Sequence, residues 1–427
     1  MTQKDSTAKS TIAGQVTVAD SWYRWVTLVI TFSAFAVAYM QRLSLGPLAP
    51  FMITGLGITK TQIGLIASAA TMGYGTTLIP GGWVADKLGV RWTLCIGQII
   101  AGTFLIIMLF ADTFVMAMVV MYGAGLGLGI ISPSTVRGIV TWFPLKERAM
   151  AMGINNMSVN VGGMITAATL PMIAIAFGWR YGFMALGIFA IVSGIIPALF
   201  YREPASGAGK AVPLAGPATA ASPVKKESWL TVFKSRDIWL IITGGIGLYI
   251  VEMGVLTYFV LYLKAHLLVQ VVTAGFLLGA IDFGGLFGKP IAGVISDRIF
   301  SGRRKGAFMT LSIISTVLAG VFAIMPVGTP QWLILVCCLI FGFAAVGWGG
   351  IYFTMVGECA GKENVGVVSG ACSMALVSAN VIGVPIFGYL TDKTGTWMWS
   401  WTYLVILGII GTTALFFVRE ERRRIST

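Results

Sequence analysis

The sequence predicts an all-α membrane protein with twelve transmembrane helices, arranged as two six-helix bundles related by pseudo-symmetry. Three observations predict this fold class. Hydrophobic residues make up 57% of the chain and charged residues only 11%, which excludes a water-soluble domain. Hydropathy rises in about twelve separate runs, each near the ~20 residues that a helix needs to cross hydrocarbon. A charged motif around Asp86 recurs around Asp297, 211 positions later (297 − 86 = 211), which indicates an internal duplication.

The apolar runs set the predicted boundaries. We expect spans near 23–53, 62–85, 91–110, 113–141, 147–171, 178–201, 236–263, 270–296, 306–326, 331–357, 363–390 and 397–419. The stretch between the sixth and seventh runs is rich in Pro, Ala, Gly and Lys, a composition typical of a flexible linker. The predicted domains are a tail at 1–21, an N-terminal six-helix bundle at 22–201, a linker at 202–235, a C-terminal six-helix bundle at 236–419 and a tail at 420–427.

Lys and Arg are distributed unequally between the two sides of the membrane that these spans define. If both termini lie on one side, most Lys and Arg lie there too, and the opposite side holds only Lys60, Arg180, Lys264 and Lys393. The positive-inside rule therefore predicts cytoplasmic tails and a cytoplasmic linker, in a multi-pass protein of the cell (inner) membrane. The same asymmetry explains the net charge of +13 without nucleic-acid binding.

Several classes of function are excluded by what the sequence lacks. It has no Gly-x-x-x-x-Gly-Lys-Ser/Thr loop for nucleotides and no nucleophile–base set, so we expect neither ATP-driven transport nor an enzyme. The five cysteines lack the spacing of zinc ligands and are expected to be small buried hydrophobes. The single histidine, His266, lies at a span end close to Lys264. We therefore expect no metal, no cofactor, and a monomer in the lipid bilayer.

The duplicated motif resembles the signature loop of the major facilitator superfamily, which lies between the second and third spans of each half. The first copy reads Gly82-Trp-Val-Ala-Asp86-Lys87-Leu-Gly89-Val-Arg91, and the second begins Gly293-Val-Ile-Ser-Asp297-Arg298. A second repeat supports the duplication, because the Lys146-Glu147 and Lys362-Glu363 pairs are 216 positions apart (362 − 146 = 216). The resemblance implies the major facilitator fold, secondary transport by alternating access, and a substrate site near the middle of the membrane.

Two further stretches are similar to the anion:cation symporter and organophosphate:phosphate antiporter branches of that superfamily. One runs from Ser132 to Gly153, and the other is Asn156-Met-Ser158-Val159-Asn160-Val-Gly162-Gly163. The chain also departs from both branches. Glu252 stands where the antiporters carry a second arginine, and Gln41 stands where the symporters usually carry an aspartate. One arginine and one carboxylate fit a monoanion with a proton, or a zwitterion such as an amino or betaine-type acid.

Arg42 is the predicted anion-binding residue. It lies well inside the first span, where an uncompensated guanidinium would be very costly, so it must face a cavity, an anion or a buried partner. Arginine can bind a carboxylate or a phosphate through two parallel hydrogen bonds. The alternatives are snorkelling of Arg42 to the outer surface and a purely structural ion pair.

Glu252 is the first predicted proton carrier, because a carboxylate in the middle of a span can bind and release a proton. A static salt bridge from Glu252 to Arg42 or Lys289 is the alternative. Asp282 and Lys289 are seven positions apart (289 − 282 = 7) and share one helix face. Asp282 is therefore either a second proton-coupling residue or part of a structural contact between helices, and the sequence does not separate the two.

Other polar and aromatic residues complete the predicted site. Residues near the midplane that could line a polar cavity are Tyr39, Tyr74, Asn156, Asn160, Tyr258, Trp348, Tyr352 and Asn380, with core packing as an equal alternative for each. Charged residues predicted to act as gates are Asp86, Lys87, Arg91, Arg137, Asp297, Arg298 and Glu358. In this prediction the Asp86 loop ties the two bundles together in one state of the transport cycle and releases them in the other.

Together these residues predict a secondary active transporter of a small organic anion, a monocarboxylate or related acid, by proton-coupled symport. The alternatives are a transporter of zwitterions, a proton-coupled drug or metabolite exporter, and a sensor built on the same fold. Drug exporters usually carry a Gly-Pro pair in the fifth span. Here Gly162-Gly163 is followed only by a distant Pro171, which favours the anion transporter.

Overall fold

Helices form all of the regular secondary structure in the computed structural model, which describes residues 22–203, 229–300 and 303–419. The predicted tails and most of the predicted linker, 204–228, lie outside these ranges. The helices of the first stretch are α1 (Tyr23–Leu43), α2 (Leu45–Leu56), α3 (Lys60–Ile107, then a 3-10 turn at Met108–Phe110), α4 (Phe114–Trp142), α5 (Leu145–Ala176) and α6 (Trp179–Phe200). The later helices are α7 (Trp229–Val232), α8 (Arg236–Ala265), α9 (Val271–Arg298), α10 (Arg304–Ile324), α11 (Gln331–Gly347), α12 (Gly349–Thr394) and α13 (Met398–Phe416).

Eleven helical segments in the described ranges are long and apolar enough to cross a membrane. The longest, Lys60–Phe110, has 51 residues and would be about 76 Å long as one helix, more than twice the ~30 Å hydrocarbon core. It is broken at Gly89, and the parts on either side are each long enough for one crossing. The multi-pass helical architecture is thus confirmed, while the count of twelve spans stays a prediction.

Two glycines with positive φ interrupt the longest helices. Gly89 has φ 80° and ψ 168° within α3, and Gly361 has φ 73° and ψ 165° within α12. Glycine adopts such angles without the steric strain that a Cβ would cause. The glycine of the Asp86 motif therefore marks the place where the chain changes direction, as the predicted loop requires.

The described residues group into two compact units whose limits differ from those of the two predicted bundles. The first unit comprises 22–44, 69–166 and 173–203, and the second comprises 45–68, 167–172, 229–300 and 303–419. Residues 45–68 belong to the second unit because α2 packs against α8. Gly46 illustrates this contact, since a Cβ there would overlap the carbonyl oxygen of Leu256. The division of the chain into bundles at 202–235 stays a prediction.

Each unit has its own apolar interior. That of the first unit is built around Leu94, Ile131 and Phe143, and that of the second around Phe308 and Val356. Small residues let the backbones of membrane helices approach closely. In the second unit, a Cβ at Gly342 of α11 would overlap the carbonyl oxygen of Ile281 on α9. This contact fixes the part of α9 that carries Asp282.

Candidate functional site

In the first unit, Arg42 lies against two tyrosine rings. Its guanidinium carbon is 4.9 Å from the ring centroid of Tyr74 on α3 and 5.7 Å from that of Tyr39 on α1. Phe35 packs edge-on against the Tyr39 ring, with 5.0 Å between the centroids. A guanidinium over aromatic faces gains cation–π attraction. The two tyrosine rings therefore help to hold the Arg42 guanidinium in place.

A pair of buried glutamines lies beside this arginine. Nε2 of Gln41 donates to Oε1 of Gln98 at 2.9 Å, and Nε2 of Gln98 donates to the Ala34 carbonyl at 2.7 Å. These bonds tie α3 to two successive turns of α1 and so fix the turn that carries Arg42. The sequence marked Gln41 only as the place of an absent aspartate. Gln98 carried no signal, because a single amide in an apolar run does not reveal its partner.

The predicted amides of α5 occupy different environments. Asn160 is fully buried in the first unit, whereas Asn156 is exposed. A third amide that the prediction missed, Asn155, is 2% exposed. The Ser158 hydroxyl donates to the Asn155 carbonyl at 2.6 Å. The structure therefore places Asn155 and Asn160 in the helix-packed interior and Asn156 on an exposed face.

In the second unit, Trp348 contacts Glu252. Nε1 of Trp348 donates to Oε2 of Glu252 at 3.1 Å. The indole stacks on Phe308, with 5.9 Å between centroids and 13° between planes, and meets Tyr352 edge-on at 5.4 Å. Three predicted residues, Glu252, Trp348 and Tyr352, thus lie together. The aromatic packing fixes the indole, so its N–H is held towards the carboxylate.

Two more charged residues lie close to Glu252. Asp282 on α9 is 3% exposed, and Lys289, two turns further along the same helix, interacts electrostatically with both Asp282 and Glu252. We name Glu252, Asp282 and Lys289 the acid–lysine cluster. It holds two carboxyl groups and one amine, so ionisation of all three gives the cluster a net charge of −1. An uncompensated charge in a membrane interior is costly.

Tyr258 and Asn380 are both buried in the second unit. The Tyr258 ring is 1% exposed and stacks on Phe387 at 4.8 Å. Its hydroxyl donates to the carbonyl oxygen of Lys60 at 2.9 Å, at the start of α3. Tyr258 therefore packs against the end of a helix. Asn380, on α12, is 2% exposed.

The predicted gate around Asp86 has partners inside the first unit. Asp86 forms an ion pair with Arg137 of α4. Nε of Arg91 donates to the Ala198 carbonyl at 2.7 Å, and the Lys87 ammonium lies 3.8 Å from the centroid of the Trp83 ring. The structure joins two predicted gate residues, Asp86 and Arg137, that the sequence treated separately. The predicted tie between the bundles stays a prediction.

The second copy of the motif has a parallel arrangement inside the second unit. Asp297 forms an ion pair with Arg304 at the start of α10. Nε of Arg304 lies 3.7 Å from Oε1 of Glu358, so Arg304 joins Asp297 to Glu358. Arg298 is exposed. The sequence missed the role of Arg304, because it is one of several basic residues in a row.

The cysteines of the described ranges are all unpaired. Four are buried, and Cys359 is exposed. The expectation that every cysteine is buried is therefore wrong for Cys359, which lies where α12 approaches its break at Gly361. Among the residues that the structure describes, no group of three His, Cys, Asp or Glu side chains is arranged to hold a metal ion.

Comparison with known proteins identifies the family to which the chain belongs. The sequence profile of the Major Facilitator Superfamily matches residues 31–382. The chain is similar to the hexuronate transporter of Bacillus subtilis (strain 168), with 26% identity over 92% of this chain and 94% of the other. It is also similar to the membrane sensor protein UhpC of Escherichia coli (strain K12), with 27% identity over 93% and 92%.

A solved structure agrees on the fold. The crystal structure of a bacterial homolog of the human lysosomal transporter Spinster aligns with a TM-score of 0.76 at 17% identity, over 94% of this chain and 97% of that one. The predicted resemblance is thus confirmed, and the chain is a membrane transport protein rather than an enzyme. It belongs to the Major Facilitator Superfamily.

Proposed function

We propose that this protein is a secondary active transporter of a small organic anion, a monocarboxylate or related acid, that moves together with a proton. The observation that carries the proposal is Arg42, an arginine within a membrane span whose guanidinium is held by Tyr39 and Tyr74. The similarity to a hexuronate transporter supports a carboxylate as the recognised group. Alternating access is the mechanism that the family uses to carry a bound solute across the membrane.

The arginine supplies the specificity for the anionic group. Ring contacts help to hold the guanidinium, and its in-plane donors form a fork that matches a planar carboxylate through two parallel bonds. The glutamine pair Gln41–Gln98 keeps the same turn of α1 in place. A monoanion needs one such partner, which fits the absence of an arginine at position 252, where Glu252 stands.

The acid–lysine cluster supplies the proton site. Lys289 acts on both carboxyl groups of the cluster, so one amine faces two acids. A proton on one acid leaves the cluster neutral, and Glu252 is half-buried while Asp282 is 3% exposed. A proton carrier must exchange with water, so Glu252 fits this role better. Protonation lets the loaded carrier pass through its closed state, because an uncompensated buried charge opposes closure.

We also propose the topology that the sequence predicts. Both termini and the linker lie in the cytoplasm, because the predicted tails, linker and loops on that side carry most of the Lys and Arg of the sequence. The protein works as a monomer in the cell (inner) membrane, where protons and the organic acid are its transported partners. Labelling of a cysteine at position 225 from inside but not outside intact cells is the expected result, and the reverse would contradict the topology.

Uptake into proteoliposomes tests the proposal. Purified protein should accumulate radiolabelled glucuronate, a hexuronate, under an inward proton gradient, and a protonophore should abolish accumulation. Arg42→Lys should remove uptake, because a point charge does not reproduce a planar two-point contact. Arg180→Lys is the matched control, since Arg180 pairs with the exposed Asp112 at a span end. Normal uptake by Arg42→Lys would overturn the assignment of Arg42.

A sensor is the second candidate function, because the chain is similar to the membrane sensor protein UhpC. A sensor binds its ligand without moving it. Counterflow of labelled substrate in proteoliposomes separates the two, since only a transporter exchanges substrate across the membrane. If amine-bearing acids alone are exchanged, the zwitterion transporter is correct and Glu252 is a substrate ligand. Exchange of cationic drugs would instead indicate an exporter.

A further inference from the structure

Charged side chains deep inside the spans are few, and their charges cancel. Within the part of the chain that the structure describes, the charged residues more than about two helical turns from a span end or break are Arg42, Glu252, Asp282 and Lys289. The other described Lys, Arg, Asp and Glu residues lie near span ends, near the glycine breaks or between spans, where charged groups can reach the membrane surface. Two cations and two anions remain, so the interior has no net charge when all four are ionised.

The helices around the acid–lysine cluster add no further charge to it. The helices that pack against α8 and α9 are α2, α10, α11, α12 and α13. Of these, α2, α11 and α13 contain no Lys, Arg, Asp, Glu or His, and those of α10 and α12 lie at helix ends or beside the break at Gly361. Tyr249 and Tyr352 contact Trp348, the donor to Glu252, but phenols and thiols are largely neutral near neutral pH. Among the described residues, the cluster alone therefore sets the charge of this interior.

The buried polar neighbours of Arg42 are amides rather than acids. Gln41 and Gln98 hydrogen-bond to each other, and Gln98 also donates to the Ala34 carbonyl. An amide side chain neither binds nor releases a proton near neutral pH. In the described part of the first unit, Arg42 thus supplies the only charge deep inside a span, and this glutamine pair adds no second proton site.

A bound anion and a bound proton change the interior charge in opposite directions. A monoanion at Arg42 gives the interior one net negative charge, and a single proton on the acid–lysine cluster restores neutrality. The anion alone or the proton alone leaves one unit of charge, which is costly inside a membrane. The neutral states are therefore the empty carrier and the carrier that holds one monoanion together with one proton.

We propose that the protein carries one proton with each singly charged acid and moves no net charge across the membrane. The inference rests on the proposed function for the anion site at Arg42 and the proton site at Glu252. It goes further by setting the ratio of proton to solute, the electrical behaviour of transport and the charge of the solute. A dianion needs two protons for a neutral loaded state, and the cluster becomes neutral with one. Dicarboxylates are therefore poor solutes.

An imposed membrane potential tests the ratio of proton to solute. Valinomycin and potassium gradients set the potential of proteoliposomes while an inward pH gradient drives the uptake of labelled glucuronate. With one proton per anion, accumulation should reach roughly tenfold for each pH unit and should not change with an inside-negative potential of about 60 mV. A second proton would make this potential add roughly another tenfold. Such a potential-driven rise would overturn the proposal.

Glu252→Gln should make transport carry charge. The charges of Asp282 and Lys289 then cancel, so the empty interior keeps the positive charge of Arg42 and the bound anion neutralises it. Net uptake would move one negative charge, and an inside-positive potential should raise it at least about fivefold. Glu147→Gln is the matched control, because it removes a carboxylate from the first turn of α5 and should stay insensitive to the potential. Net uptake by folded Glu252→Gln that ignores the potential would overturn the charge count.

A double variant changes the same cluster without changing its net charge. Asp282→Asn/Lys289→Met removes one negative and one positive charge, so its uptake should remain insensitive to the potential even if the rate falls. Uptake by the double variant that follows the potential would contradict the proposal. If Glu252→Gln does not fold, the wild-type measurement and this double variant still decide the question.

The charge of the solute is tested with two closely related acids. Glucarate carries a second carboxylate where glucuronate has an aldehyde. Glucarate loaded inside proteoliposomes should drive counterflow of labelled glucuronate at least about tenfold more slowly than unlabelled glucuronate does, because its extra charge is not compensated. Equal counterflow would overturn the limit to singly charged acids.

These outcomes separate the ratio from the proposed function. A lack of any proton-driven glucuronate uptake would refute the proposed function and this inference with it. Proton-driven uptake that also follows the membrane potential would refute the ratio alone. Proton-driven uptake that is independent of the potential in the wild type, but not in Glu252→Gln, supports both.

Discussion

Trp348 donates its indole hydrogen to Glu252, with 3.1 Å between Nε1 of Trp348 and Oε2 of Glu252. Trp348 is the single residue between α11, which ends at Gly347, and α12, which begins at Gly349. Phe308 and Tyr352 hold its ring. The position of the carboxylate on α8 is therefore linked to the junction of two other helices. A movement at this junction would change the hydrogen bonding of Glu252.

Trp348→Phe should weaken proton-coupled accumulation and leave counterflow largely intact. Phenylalanine keeps an aromatic ring against Phe308 but has no N–H to position the Glu252 carboxylate. Hydrogen bonds to charged groups contribute about 1.5–3 kcal/mol, so a roughly tenfold or greater loss of accumulation is expected. Trp332→Phe is the control, because Trp332 is 66% exposed. Equal accumulation by the Trp348 and Trp332 variants would show that the hydrogen bond is unimportant.

Lys289→Met should destabilise the protein more than a variant that removes the charges of both Asp282 and Lys289. It leaves two carboxyl groups without the amine that compensates them, and breaking a buried pair in this way costs about 3–5 kcal/mol. The double variant Asp282→Asn/Lys289→Met removes both charges and should recover most of that loss. Thermal unfolding in detergent measures both. A double variant that is no more stable than Lys289→Met would disprove the pairing of Asp282 with Lys289.

Tyr74→Phe should bind the anion as the wild type does, whereas Tyr74→Ala should not. Phenylalanine keeps the ring face that lies 4.9 Å from the Arg42 guanidinium, and alanine removes it. Cation–π contacts contribute about 0.5–2 kcal/mol, so the expected increase in Kd for Tyr74→Ala is roughly two- to thirtyfold. Isothermal titration with glucuronate measures this. Equal losses of anion affinity in both variants would indicate that the Tyr74 hydroxyl, rather than its ring, supports anion binding.

Gly342→Ala should destabilise the fold, because its methyl group would overlap the Ile281 carbonyl oxygen. Overpacking of this kind typically costs about 1–3 kcal/mol. Gly349→Ala is the control, since a Cβ at Gly349 meets nothing within 4 Å. The comparison uses thermal unfolding in detergent. Unchanged stability of Gly342→Ala would mean that α9 and α11 are less closely packed than described.

Sequence patterns predicted the features that depend on local composition. Apolar runs and the glycine at 89 predicted the helices and one break between them, because hydrophobic length and positive φ are properties of short segments. Arg42 and Glu252 stood out because charges in apolar runs are rare. The sequence predicts Tyr39 and Tyr74 as possible cavity residues, and the structure shows that both contact the same guanidinium.

Features that depend on pairing over long distances were not predicted. The Asp392 carboxylate accepts a hydrogen bond from the backbone N–H of Thr61, more than three hundred positions away (392 − 61 = 331), and neither residue is unusual where it stands. Gln98 and Arg304 were not predicted for the same reason. Neither a polar side chain in a span nor an arginine in a basic run shows which residue it contacts. The sequence offered Arg42 and Lys289 as ion-pair partners of Glu252, and in the structure Lys289 interacts with both Glu252 and Asp282.

Proton-driven accumulation by Glu252→Gln tests the central claim most directly. The assay imposes an inward pH gradient on proteoliposomes and records labelled glucuronate against time, with Glu147→Gln, an acid that pairs with Arg24, as the control. Because glutamine stays neutral at every pH, the variant should exchange bound substrate but fail to accumulate it above equilibrium. Accumulation by Glu252→Gln equal to that of the wild type under the same gradient would contradict the assignment of Glu252 as the proton carrier.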